Sequence, residues 1–326
     1  MRHLATSLHL TRKLLRRLGA ASLMSLALAG AATAAGPAAG PAVLATVGGI
    51  SAAENSIQAS DGRIFVSSNG SLYQLRQSGS SWTKTTIPVQ FQDGSSHACY
   101  YLGLTEYNAA VYVVCTENSL NIYAAKHLMA LDLKAGTAAL QEVGALGGVG
   151  LPNGLASDGF GHLYYANTGI LYPGNVRRIT LQGRFAMVSD QAVVQYVVEN
   201  PNGLKINGGQ LYVGTDSVVA LGVTRVLRYP LNAGGLTGSG TQVVSGLTFF
   251  DDFSLLTGSG VLLADFLLGQ VDDVNESNGQ IVQGFAISQP TSATVISSGG
   301  ISYLLVTQRA ANQVSILSNP WGLKPR

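Results

Sequence analysis

Pro152-Asn-Gly-Leu-Ala-Ser-Asp-Gly-Phe-Gly-His-Leu-Tyr-Tyr-Ala-Asn167 and Pro201-Asn-Gly-Leu-Lys-Ile-Asn-Gly-Gly-Gln-Leu-Tyr-Val-Gly-Thr215 are two near-copies of one pattern. Each has a polar residue, a short apolar strand, a glycine turn, and a second strand that opens on an aliphatic residue about ten positions after the polar one. Four further segments obey the same order. They lead from Glu54 through Asp61-Gly62 to Ile64, from Tyr101 through Asn108 to Val111, from Asp252 through Thr257-Gly-Ser-Gly260 to Leu262, and from Thr294 through Gly299-Gly300 to Leu304. The six lead residues, Glu54, Tyr101, Asn153, Asn202, Asp252 and Thr294, are spaced by 47, 52, 49, 50 and 42 residues.

Nothing after the first 35 residues has helical periodicity, so the chain is all-β. A unit of about 45–50 residues holds roughly four strands, the size of one propeller blade. The sequence therefore predicts a six-bladed β-propeller with four-stranded blades over residues 52–326. A two-domain sandwich would not repeat one register six times. The lead segment, 35–51, contains Val43-Leu-Ala-Thr-Val47, and the last unit ends early at Val314-Ser-Ile-Leu317, so the lead segment is the candidate for the strand that closes the ring.

Arg2, Arg12, Lys13, Arg16 and Arg17 precede a small-residue apolar stretch that ends in Ala32-Thr-Ala34. This reads as a signal peptide over residues 1–34, cleaved near Ala34, and places the protein outside the cell or in a periplasm. Loss of the leader removes 5 of the 19 basic residues and none of the 17 acidic ones, leaving 14 against 17, a net charge of −3. No basic stripe remains for nucleic acid. The chain is 46% hydrophobic with a mean hydropathy of +0.25, but its apolar residues are scattered, so no stable membrane span is expected after cleavage. In an oxidising compartment the two cysteines, Cys99 and Cys115 in neighbouring strand-like segments, are expected to form a disulfide.

The inner strands of a propeller line its channel, which makes the lead residues neighbours. One Glu, one Asp and two Asn supply hard oxygen donors that suit a divalent cation, above all Ca2+, with Mn2+ and Zn2+ as the other candidates. His97, His127 and His162 have no paired ligand spacing and read as surface or turn residues.

The elements Glu54-Asn-Ser-Ile57, Pro152-Asn-Gly-Leu155, Pro201-Asn-Gly-Leu204 and Asp252-Phe-Ser-Leu255, each followed by a glycine turn, resemble the senescence marker protein, gluconolactonase and luciferin-regenerating enzyme family. Paraoxonases and strictosidine synthase share its broader fold. The resemblance runs from about Ala52 to Leu317. It implies a metal in the channel and hydrolysis of a small lactone or related ester. By position it makes Glu54, Asn202 and Asp252 the metal ligands, Asp252 also the general base, and Asn153 a substrate contact. Apart from the resemblance, Tyr101 and Tyr100 are candidate pocket-lining residues, with packing in the core as the alternative for strand aromatics. Ser56 and Gln58 depart from the family's usual proline and aromatic, and Asp251-Asp252-Phe253 stands where the family has Pro-Asp-Gly. The reading from another functional class is a Ca2+-stabilised propeller that binds or scaffolds without catalysis.

Overall fold

Glycine and Asx turns cut this chain into short apolar runs, and those runs become strands that bury both faces. The structure is a computed structural model that describes residues 40–135, 139–169, 173–217, 223–247 and 249–326. The leader expected over residues 1–34 lies outside the described residues.

Six antiparallel sheets follow one another in chain order, giving the six-bladed, four-stranded ring that the repeat predicts. Their inner strands are Ser56–Gln58, Tyr100–Tyr107, Leu151–Ser157, Glu199–Asn207, Phe250–Leu256 and Pro290–Ser298. Blade 2 carries an extra strand, Val89–Gln90, parallel to its outer edge, and blade 4 a short hairpin strand, Gly235–Leu236. Among the described residues no helix is long and apolar enough to cross a membrane.

The core lies between blades. In blade 2, Val111, Val113 and Cys115 pack with Phe65 and Leu72 of blade 1, while Tyr112 and Val114 pack with Leu155 and Tyr165 of blade 3. Strand Ala110–Thr116 is buried along its whole length for that reason. This is also why the sequence spends so little on charge, at 11% of residues. Cys99 and Cys115 form a disulfide with Cα atoms 5.6 Å apart, tying the approach to the inner strand of blade 2 to its second strand.

Val43–Gly48 pairs antiparallel with Gln313–Ser318 as the outer strand of blade 6, with Val47 opposite Val314. The joint is reinforced by Ile50 N donating to Asn312 O at 2.9 Å and Ala52 N to Asn312 Oδ1 at 2.8 Å. A variant that lacks residues 40–49 leaves Gln313–Ser318 as an open edge. We expect it to melt at a lower temperature and to aggregate on heating, as followed by calorimetry and light scattering.

Candidate functional site in the channel

Ladder register fixes which residues are equivalent around the axis. Ser56 faces Val66, Leu104 faces Val113, Leu155 faces Tyr165, Leu204 faces Val213, Phe253 faces Leu263 and Ala293 faces Val306. In five of the six blades a β-bulge lies just before that pair, where the strand turns in toward the channel. The residue two positions earlier is Glu54, Leu102, Asn153, Asn202, Asp251 and Thr291 respectively. Glu54, Asn153 and Asn202 hold the place the repeat gives them, and the other three shift.

Each shift has a local cause. In blade 5 the second strand begins at Gly260, so Val261 rather than Leu262 matches Leu211, and Asp251 rather than Asp252 matches Asn202. In blade 6 the inner hairpin is longer, with Ser298 opposite Ile301, which moves the lead place to Thr291. Thr294 instead accepts or donates a hydroxyl bond with Ser56 Oγ at 2.9 Å, lower in the channel. In blade 2 Tyr101 turns away from the channel into the core beside Phe65 and Cys115, 2% exposed, so it does not line a pocket.

Inner strands approach closely enough to bring the lead groups together because glycine follows three of the lead residues. A Cβ on Gly103 would collide with Asn153 O and Leu155 N, and one on Gly154 with Asn202 O and Leu204 N. One on Gly203 would meet the Asp252 carboxylate.

At the lead level Asn202 Nδ2 donates to Asp251 Oδ1 at 2.9 Å, and Tyr100 Oη donates to Glu54 Oε2 at 3.2 Å. The Arg309 guanidinium lies 3.7 Å from Glu54 Oε2 and stacks on the Tyr100 ring at 5.5 Å. Burial, and then the charge of Asp251, pushes the Glu54 carboxyl well above the usual range. Burial likewise raises Asp251, against the lowering effects of Asn202 and Arg309. Asp216, at the end of the second strand of blade 4, is pushed up to about 8 by burial and the nearby Asp251. The sequence pattern puts Asp252 rather than Asp251 at the lead place and gives no sign of Asp216 or Arg309. The signal for Asp251 was its alignment with Asn153 and Asn202, visible once the ladder is counted.

Asp252 occupies the place of Gly154 and Gly203. Its carboxylate receives Lys205 Nζ at 2.8 and 2.9 Å, so both oxygens are engaged. Burial raises its pKa while Lys205 lowers it. Lys205 also lines a cavity of about 520 Å³ at the other end of the channel, walled by Ser56, Thr105, Ser157, Asn207 and Arg326 among others.

Whether the lead groups suit a cation can be judged from what they lack. Asn202 Oδ1 and Asp216 Oδ1 are buried without a hydrogen-bond partner. The Arg309 guanidinium acts on Glu54 and Asp251, while Asp216 feels burial and the charge of Asp251. By chemistry that donor set of carboxylate and amide oxygens suits a hard divalent cation, although among the described residues no three Asp, Glu, His or Cys side chains stand arranged to hold one.

Two outcomes test this geometry. A carboxyl whose pKa rises on folding favours the protonated form, so its stabilisation is complete below about pH 4 and is lost as pH climbs through about 8. Without divalent cation the melting temperature should fall between pH 5 and pH 8.5, and Asp216→Asn should make that fall shallower. Gly154→Ala should destabilise the ring by about 1–3 kcal/mol or more in denaturant titrations, because the added carbon meets backbone rather than a mobile side chain.

No family model and no curated protein matches the sequence. Solved structures do. A glucose dehydrogenase is 13% identical, with 86% of this chain and 99% of that chain covered at a TM-score of 0.59. A gluconolactonase from Xanthomonas campestris is 15% identical, with 85% and 88% covered at 0.57. The Malassezia sympodialis allergen Mala s 1 is 10% identical, with 84% and 96% covered at 0.60. At these identities the likeness establishes the fold, and the chain shares its six-bladed propeller architecture with solved gluconolactonases.

Proposed function

We propose that the protein is an exported hydrolase of lactones or related esters that works in its channel with a divalent cation, Ca2+ first. One observation carries the reading. The ring sets Asn202, Glu54 and Asp216 around the buried Asp251 carboxylate, leaves Asn202 Oδ1 and Asp216 Oδ1 without a partner, and places the Arg309 guanidinium beside Glu54. The gluconolactonases among the structural neighbours support the reaction class, and the Cys99–Cys115 disulfide supports an oxidising compartment.

Glu54, Asn202 and Asp251 would hold the cation, with Asn153 beside them to orient the ester. The bound ion supplies a Lewis acid that polarises the ester carbonyl. Tyr100 fixes Glu54 through its hydroxyl, and Arg309 balances part of the acidic charge. The sequence assigned the base to Asp252, but Lys205 engages both of its oxygens. Asp216 suits the role better, with its carboxyl pushed up to about 8 and one oxygen free of partners, since a base works best near ambient pH. The water oxygen bonds to the carbonyl carbon while its proton passes to Asp216. The bond from that carbon to the ring oxygen then breaks, and the ring oxygen takes the proton back.

A second reading has its own support. Arg309 already places a positive charge beside Glu54, as a binding propeller with a built-in cation would. A panel of lactones and aryl esters separates the two, run on chelator-treated protein with Ca2+, Mn2+ or Zn2+ restored. Turnover should vanish with chelator and return with one ion. Glu54→Gln and Asp251→Asn should abolish it. Asp216→Asn should lower kcat by about 100-fold or more at nearly unchanged KM, with Asp252→Asn milder. Turnover indifferent to chelator and to Glu54→Gln would defeat the metal mechanism, and no turnover with any substrate would favour the binding propeller.

A further inference from the structure

Blade 2 gathers two histidines that the channel does not use. His127 lies on strand Lys126–Asp132, opposite the disulfide residue Cys115, and His97 lies two residues before Cys99. Their rings are 5.8 Å apart, and Phe91 packs on both, at 4.6 Å from His97 and 5.3 Å from His127. The sequence reads these histidines as surface or turn residues without paired ligand spacing, and the fold supplies each with two carboxylates.

The bonding follows one plan. His97 Nε2 meets Asp93 Oδ2 at 2.9 Å and Ser95 Oγ at 2.7 Å, and His127 Nδ1 meets Glu142 Oε1 at 2.7 Å. The other ring nitrogens both turn to one oxygen, Glu117 Oε1, at 2.7 Å from His97 Nδ1 and 3.3 Å from His127 Nε2. The outer carboxylates are themselves fixed. Asp93 accepts from Ser95 N at 2.9 Å, and Glu142 accepts from Gln92 N at 3.1 Å. An imidazole whose far nitrogen donates to an anchored carboxylate, while its near nitrogen faces a shared carboxylate oxygen, is in the arrangement that metal-binding histidines adopt.

We propose that His97 Nδ1, His127 Nε2 and Glu117 form a second metal site, separate from the channel, that takes Zn2+ or a similar borderline ion. Two imidazoles and one carboxylate are a zinc ligand set with a fourth position left to water. Asp93 and Glu142 are positioning residues that hold the rings by their far nitrogens, and the ion would take the place of the near-nitrogen protons that now face Glu117, releasing them to solvent. Without the ion the three groups are not spread as a cage, and no trio of His, Cys, Asp and Glu among the described residues is. Donor atoms around a tetrahedral zinc stand about 3.3 Å apart. The His127 to Glu117 distance already matches, and the His97 to Glu117 contact must open by about half an ångström. His97 and Glu117 can yield, being 28% and 30% exposed, while His127 is held at 10%. The ion would clamp the loop of Asp93 to His97 onto the second and third strands of blade 2, next to the disulfide.

The test uses the full chain after chelator treatment, titrated with Zn2+ by calorimetry and with Co2+ by visible absorption. With Ca2+ in excess to occupy the channel, we expect one zinc to bind, Co2+ to give the intense bands of low coordination, and Zn2+ to raise the melting temperature. His97→Gln and His127→Gln should remove all three effects, and Glu142→Gln should weaken zinc by about 10–100-fold. Glu54→Gln, in the channel, should leave them intact, and His97→Gln lies at an exposed position where folding is checked by circular dichroism. Absence of zinc uptake by the wild type, or uptake kept in His97→Gln and lost in Glu54→Gln, would overturn the proposal.

Discussion

Everything at the axis depends on how closely six inner strands can approach one another. Gly103, Gly154 and Gly203 remove the Cβ atoms that would otherwise strike the next blade's backbone or, at Gly203, the Asp252 carboxylate. That absence lets Asn153 and Asn202 reach the same space as Glu54 and Asp251. Glycine weakens a strand by itself, through lost packing and backbone entropy, so its placement beside each asparagine is a local cost offset by the convergence it permits.

Convergence creates an electrostatic problem that the rest of the ring does not solve. Taking a carboxylate out of water is costly unless it is paired, and burial lifts the proton affinity of Glu54, Asp216 and Asp251 together. Arg309 reaches Glu54 from blade 6, and Lys205 is committed to Asp252 lower in the channel. The two levels differ in charge balance, although Asp252 still acts on Glu54 and Asp251. One is a closed ion pair, and the other holds acidic charge in excess of its cation. A fold selected for stability alone would have filled the upper level with apolar side chains.

Much of this was legible in the sequence. Blade number, strand pattern and the closing role of Val43–Val47 follow from repeats and turn residues, because hydrophobic alternation and glycine turns act locally, and the cysteine pair follows from two neighbouring strand-like segments in an exported chain. Three of six lead positions did not. Asp252 was chosen over Asp251 by counting back from a turn, but the true offset is set by where the second strand starts, and only the pairing of Phe253 with Leu263 reveals it. Tyr101 was misplaced for the same reason, with Leu102 at the equivalent position. Asp216 and Arg309 sit at the ends of second strands, outside the repeated motif, and reach the site through tertiary geometry that no single unit encodes. The meeting of His97 with His127 was likewise hidden, since 30 residues and two strands separate them.

The closing joint has a consequence for how the molecule is made. Val47 and Val314 are partners, so the first strand of the ring can find its place only when nearly the whole chain is available. Until then Val43–Gly48 is an unpaired, apolar edge, and Val43 and Leu44 stay half exposed even afterwards. Pairings of such sequence separation form slowly, because loop entropy must be lost before any contact repays it. The early blades must therefore wait as an open arc, whose two ends are vulnerable to pairing with other chains, so folding yield should be governed by the last strand to arrive rather than by the first.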